Sequence, residues 1–173
     1  MSTAVVVGNP KADSRTLRVA RAVADALADR LPDTSVGGTG TDRLVVDLAD
    51  VGAELFDPES KRVNDLLQAV AGSDLVIVAS PTFKATYTGL LKSFFDRYGS
   101  NALSSTVAVP VMTGAGSIHA LAPEVHLRPL LVELGAATPT RGLYVTEPQF
   151  DDLDAVIGTW AEAASPHVAR ALA

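Results

Sequence analysis

Short runs of β-branched and aliphatic residues alternate along the chain with longer segments whose apolar positions fall three and four apart. Thr3 to Val7 is a continuous apolar run closed by Gly8-Asn9-Pro10, the pattern of a buried strand and its turn. Ser14 to Leu31 places Leu17, Val19, Ala20, Val23, Ala24, Leu27 and Leu31 at helical spacing, with Asp13 or Ser14 as N-cap and Pro32 as stop. The glycine-rich stretch Val36 to Thr41 predicts a flexible connector. Leu44 to Leu48 predicts a second strand, Asp50 to Phe56 fits neither period, and Pro58 to Ala71 predicts a helix ended by Gly72. Leu75 to Ser80 is the clearest buried strand, and Thr86 to Tyr98 predicts the helix after it. Thr106 to Met112 predicts a fourth strand with an irregular end at Pro110. Ile118 to Leu134 predicts a fourth helix disturbed by Pro123 and Pro129, and Gly142 to Val145 a fifth strand. Asp151 to Leu172 predicts a terminal helix with Pro166 close to its end.

These strands lack strict two-residue alternation. They are apolar on both faces, as parallel strands covered by helices on each side must be. The repeated strand–helix unit predicts an α/β fold, a doubly wound parallel sheet with helices on both faces. The 173 residues suit a single domain spanning the whole length.

Composition narrows the chemistry. There are no cysteines, which excludes disulfides, thiol catalysis and cysteine-bound metal. A net charge of −6 argues against broad nucleic-acid binding, although a local cationic site for a phosphate is compatible with it. The N-terminal apolar run is too short for a signal peptide and lacks a basic flank, and no stretch reaches membrane-span length. The expected location is the cytoplasm, with no membrane partner.

In an open parallel sheet ligands bind beyond the carboxyl ends of the strands. Three loops there draw attention. The first, Gly8-Asn9-Pro10-Lys11-Ala12-Asp13-Ser14-Arg15-Thr16, opens a helix whose free N–H groups favour an anion. Ser14 and Thr16 offer hydroxyls and Arg15 a charge-assisted donor. An ordinary capped helix with exposed basic residues reads equally well. The second loop, Ser80-Pro81-Thr82-Phe83-Lys84-Ala85-Thr86-Tyr87-Thr88-Gly89, carries Phe83 and Tyr87, which suit a flat conjugated ring or simply cover the adjacent helix. Lys84 there reads as a phosphate or ring-oxygen donor, or as a solvated lysine. The third, Met112-Thr113-Gly114-Ala115-Gly116-Ser117-Ile118-His119, has two glycines that let backbone approach a ligand closely. His119 reads either as a donor to a cofactor or as a helix-start residue packed for structure.

Several chemistries are excluded by pattern. Neither G-x-x-x-x-G-K-[ST] nor G-x-G-x-x-G is present, so an ATP-type phosphate loop and a Rossmann dinucleotide crevice are disfavoured. G-x-S-x-G is absent, and His126 and His167 lack acidic partners at metal spacing. Glu147, Asp151 and Asp152 read as caps of the last helix.

The stretch from Pro81 to Asp96 resembles the NADPH-dependent FMN reductase family, above all the reductases that supply reduced FMN to alkanesulfonate monooxygenases. The likeness continues through Thr113 to His119 and Leu127-Arg128-Pro129-Leu130-Leu131, and Gly8 to Thr16 looks like that family's phosphate loop. The resemblance implies a flavodoxin-like sheet of five strands in the order 2-1-3-4-5. It implies FMN phosphate at Ser14, Arg15 and Thr16 beside Asn9. It implies flavin contacts from Pro81, Thr82, Phe83, Lys84, Ala85, Thr86 and Tyr87, and from Thr113, Gly114, Ala115, Gly116 and Ser117. It also implies hydride transfer from NADPH or NADH to FMN, with no side chain acting as nucleophile, delivery of reduced flavin to a monooxygenase, and a homodimer or homotetramer. Lys11, Arg15 and Arg18 are the cations available to a 2′-phosphate. An FMN-retaining quinone, azo-dye or chromate reductase is the alternative within this fold, and a flavodoxin-type electron carrier a more distant one. One departure stands out: the family often carries an inserted aromatic residue in the fourth helix, where this chain has Ala122-Pro123-Glu124-Val125-His126-Leu127. Val125 and His126 offer no tyrosine there, although a π-bulge at that point is compatible with the sequence.

Overall fold

The computed structural model describes residues 1–31 and 43–173. Five parallel strands form one sheet: β1 (Thr3–Val7), β2 (Arg43–Asp47), β3 (Leu75–Pro81), β4 (Val107–Gly114) and β5 (Leu143–Thr146). Their order is β2-β1-β3-β4-β5, as the resemblance implies. The connecting helices are α1 (Arg15–Ala28), α2 (Lys61–Ala71), α3 (Gly89–Phe95), α4 (Arg128–Glu133) and α5 (Leu153–Leu172). The stop at Pro32 and the connector Val36 to Thr41 lie outside the described residues.

Alternate residues of each strand enter opposite cores. Val6, Val76, Val78, Ala108 and Met112 pack with Val63, Leu91, Phe94 and Leu131 on one face. Val5, Val7, Ile77, Val109 and Val111 pack with Val19, Val23, Leu27, Ile157 and Val168 on the other. This two-sided burial is why the strand sequences show no polar alternation.

Four expectations change. The helix expected from Thr86 begins at Gly89, because Phe83 and Thr86 close a tight hairpin and Thr88 then caps the helix. The Thr88 hydroxyl accepts from Leu91 N at 3.1 Å and donates to the Gly8 carbonyl at 2.5 Å. That bond seats the start of α3 on the end of β1. Pro110 does not end β4, which runs on to Gly114. Val107 N donates to Asp74 on the β3 side and Ala108 N to Ala137 on the other, so by alternation position 110 faces away from β3. β5 pairs only from Val111 onward, and Pro110 sits in the gap where no donor is required.

The helix expected over Ile118 to Leu134 is three pieces: a 3-10 turn at Ser117–His119, a π-helical turn at Pro123–Leu127, and α4. Pro129 has no N–H to give to the preceding turn, and its ring crowds the carbonyl four residues back. The wider π turn relieves that crowding, and Arg128 N closes it on Pro123 O. The acidic caps expected for the last helix are not formed. A 3-10 turn, Glu147–Asp152, precedes α5 and is capped by Thr146 and Gln149, while Asp152 makes no side-chain cap bond.

Candidate functional site

The carboxyl ends of β1, β3, β4 and β5 open onto one cleft of about 350 Å³. It is lined by Asn9, Lys11, Asp13, Ser14, Arg15 and Thr16 from the first loop, Pro81, Thr82 and Phe83 from the second, Thr113, Gly114 and Ala115 from the third, and Glu147 and Phe150 beyond β5. Its volume lies within the range of small-molecule pockets, roughly 300–1,000 Å³.

The first loop is held by short polar contacts. Asn9 Oδ1 accepts from Lys11 N at 2.9 Å, and Asn9 Nδ2 donates to Thr16 Oγ1 at 3.2 Å. Thr16 Oγ1 lies 2.9 Å from Thr113 Oγ1, which ties the first loop to the third. Asp13 takes a left-handed backbone, φ 50°, as the chain turns into α1. Its N–H and that of Ala49 both donate to the Asp47 carboxylate at the end of β2. Burial is the main reason that the Asp47 carboxyl is lifted above its ordinary value, and those two donors partly oppose it. Ser14 caps α1 by accepting from Leu17 N at 3.2 Å, which leaves its own hydroxyl proton free for a ligand. Thr16, by contrast, is buried and committed to Asn9 and Thr113.

The first-turn N–H groups of α1 have no intrahelical partner and carry the positive end of the helix dipole. Arg15 stands beside them. Its guanidinium pairs with Glu147 and lies 5.4 Å from the centroid of the Phe150 ring. An anion, a cationic side chain and an aromatic wall thus meet at one end of the cleft.

The second and third loops make the other end. Thr82 N donates to Thr113 O at 2.7 Å, extending the β3–β4 ladder into the loops. The Thr82 hydroxyl is buried, lines the cleft, and has no partner among the described residues. A Cβ at Gly114 would fall 1.9 Å from the Tyr144 hydroxyl oxygen, so a side chain at this position requires Tyr144 to move. Phe83 is 50% exposed at the rim.

The sequence-predicted residues therefore divide. Asn9, Ser14, Arg15, Thr16, Pro81, Thr82, Phe83, Thr113, Gly114 and Ala115 line the cleft. Lys84, Ala85, Thr86 and Tyr87 do not. The first two form the tip of the hairpin with φ 53° and 71°, and Tyr87 packs against the core beneath. Gly116, Ser117 and His119 lie past the lining, in the turn that follows Ala115, where Gly116 O accepts from the Tyr144 hydroxyl at 3.2 Å. The cleft also contains Lys11, read from the sequence as a cation for a 2′-phosphate, Asp13, read as an N-cap candidate, and two residues not predicted for the site, Glu147 and Phe150. The signal for the last two was available: the chain after β5 leaves the same edge of the sheet as the other three loops.

The donor set suits a phosphorylated, flat, conjugated ligand such as FMN. For a phosphate the cleft offers helix N–H groups, Ser14, Lys11 and Arg15; for a ring it offers an aromatic rim and an unpartnered Thr82 hydroxyl. Among the described residues no group of three or more His, Cys, Asp or Glu could hold a metal ion.

Comparison with known proteins agrees with this chemistry. The profile of the NADPH-dependent FMN reductase family matches residues 1–151. The chain is 33% identical to an FMN reductase (NADPH) of Pseudomonas aeruginosa, over 93% of this chain and 89% of that protein. It is 34% identical to the NADH-dependent FMN reductase SfnF of Pseudomonas fluorescens, over 88% and 84%. Among solved structures it superposes on the apo form of an NADH:FMN oxidoreductase, EMOB, with a TM-score of 0.82 and 26% identity, over 99% of this chain and 90% of that one.

Proposed function

From the chain's membership of the NADPH-dependent FMN reductase family, we propose that it reduces FMN at the expense of NADPH or NADH and releases the reduced flavin to a flavin-dependent monooxygenase. The observation that carries this reading is the cleft in which the N-terminus of α1 with Ser14, Lys11 and Arg15 meets Phe83, Phe150, Thr82 and Gly114. When bound there, FMN supplies the redox chemistry by accepting a hydride from the nicotinamide.

The protein's own part is binding, orientation and exclusion of water. The α1 N-terminus, the Ser14 hydroxyl, Lys11 and Arg15 hold the phosphate. Thr82 and the backbone N–H groups of the second and third loops bond the polar edge of the ring, where they also stabilise the negative charge of reduction. Phe83 and Phe150 bound the ring site with apolar surface. No side chain in the cleft needs to act as nucleophile or metal ligand. Delivery to a monooxygenase is supported by the resemblance of the loop motifs to the alkanesulfonate-system reductases. A homo-oligomeric state is supported by the apolar side chains Ile118, Leu121, Val125 and Val132, each more than half exposed, on the segment between β4 and β5.

The test is NADPH and NADH oxidation in air, followed as FMN is increased. We expect saturable oxidation that depends on added FMN, with the preferred nicotinamide given by the ratio of kcat/KM. Retained flavin, with little turnover until a quinone is added, would instead identify an FMN-retaining reductase. Absence of FMN binding would overturn the assignment.

A further inference from the structure

The phosphate end of the cleft holds two cations, Lys11 and Arg15, and two carboxylates, Asp13 and Glu147. The formal charges of these four side chains cancel. Arg15, whose guanidinium is the group best shaped for a phosphate, is already paired with Glu147. Glu147 is no accidental neighbour. It opens the 3-10 turn after β5, a turn fixed by the reciprocal bonds of Thr146 and Gln149, and the same turn brings Phe150 under the guanidinium. Arg15 and Glu147 are 132 residues apart in sequence and meet only because the sheet brings the ends of β1 and β5 to one cleft.

We propose that Glu147 is an internal competitor for the FMN phosphate at Arg15, a carboxylate that keeps flavin affinity low enough for the flavin to exchange. In the free protein the guanidinium is held by Glu147 and rests on Phe150. A phosphate entering at the start of α1 takes over donors from that pair, and Glu147 is left as a solvated carboxylate beside a second anion. The side chains of Arg15 and Glu147 are 63% and 54% exposed, so water can solvate the displaced carboxylate and the exchange is cheap in both directions. A buried pair in this place would block the site; an exposed one weakens binding by a modest factor. The inference rests on the FMN reductase reading and assigns to Glu147 a modest share in keeping FMN exchangeable.

The experiment is FMN titration followed by flavin fluorescence in low salt, on the wild-type chain, Glu147→Gln, Arg15→Ala and the double variant. The pair is exposed and its coupling is small, so Glu147→Gln is expected to tighten FMN by about threefold to tenfold. That gain should fall as salt rises, and should disappear in the Arg15→Ala background. Riboflavin, which lacks the phosphate, should respond to neither substitution. Unchanged or weaker FMN binding in Glu147→Gln would overturn the proposal, because the carboxylate would then be orienting Arg15 rather than competing for it. An equal gain with and without Arg15 would also overturn it, leaving only a general field effect. Failure of the wild-type chain to bind FMN would overturn the reductase reading itself, and the wild-type titration reports that separately.

Discussion

Lys84 and Ala85 both occupy left-handed backbone in a two-residue hairpin closed by Phe83 N to Thr86 O at 2.8 Å and the return bond at 3.3 Å. Positive φ at both central positions is the turn that normally takes Asn-Gly, because a Cβ there meets the neighbouring carbonyl at a cost of about 1–2 kcal/mol per residue. The strain lies one residue from Phe83, which it holds at the rim of the cleft. Ala85→Gly is therefore expected to raise stability by about 0.5–1 kcal/mol, seen as a higher urea midpoint; a lower midpoint would refute the strain. Gly8 makes the opposite demand. An added Cβ would fall 2.4 Å from Leu91 Cβ and 3.0 Å from Leu91 Cα, both on α3. Gly8→Ala must push α3 off the end of β1, and a loss of about 1–3 kcal/mol in denaturant unfolding is expected. Both residues stand in segments that the sequence marked as loops, yet neither constraint was legible there. Each depends on a partner or a turn type that appears only in three dimensions.

Among the elements, the π turn and α4 owe their position to one ion pair. Arg128 Nε donates to Glu124 Oε2 at 2.8 Å, and Arg128 Nη1 to Thr138 O at 2.6 Å. Glu124 Oε1 accepts from Gly142 N at 2.5 Å, at the entry to β5. The Arg128 side chain is the main reason that the Glu124 carboxyl lies below its ordinary value, helped by the Gly142 N–H and opposed by burial. A depressed carboxyl stabilises the fold above its unfolded value and loses that contribution as pH falls through the folded one. Glu124→Gln should thus cost about 1–3 kcal/mol at neutral pH, and the gap to the wild-type chain should close as the solution is acidified below the usual glutamate range. A gap independent of pH would show that charge is not what Glu124 contributes. The strands around this region were readable because burial on both faces leaves unbroken apolar runs such as Leu75 to Ser80. The broken helix was legible in part: the prolines announce a disturbance and leave room for a π turn at Val125 and His126, which forms over Pro123–Leu127, but nothing announced the 3-10 turn at Ser117–His119. Likewise Glu147 read as a cap of the last helix and Phe150 drew no reading at all, and both became cleft residues only when β5 was set beside β4.

For the whole molecule, two cores flank the sheet and consume nearly every aliphatic side chain of the strands. Against that economy, Ile118, Leu121, Val125 and Val132 are conspicuous: they lie outside both cores, spaced three, four and seven residues apart along one segment. Exposed apolar side chains gathered on one segment suit a contact with another protein, and the proposed homo-oligomer would use them to close a symmetric assembly. These side chains sit on the segment joined to the cleft through Gly114 and Ala115, so an assembly formed through them would share that support with the proposed flavin site. The wild-type chain is expected to sediment as a dimer or tetramer. Leu121→Asp with Val125→Asp should shift it to a smaller species while leaving its far-ultraviolet circular dichroism unchanged, because both side chains are already exposed in the isolated chain. A monomer at micromolar concentration, or an assembly indifferent to the two charges, would reject the stripe as the contact. If the charges dissolve the assembly and also weaken FMN binding, the subunit contact supports the third loop in its binding position; if affinity holds, each copy carries a complete flavin site of its own.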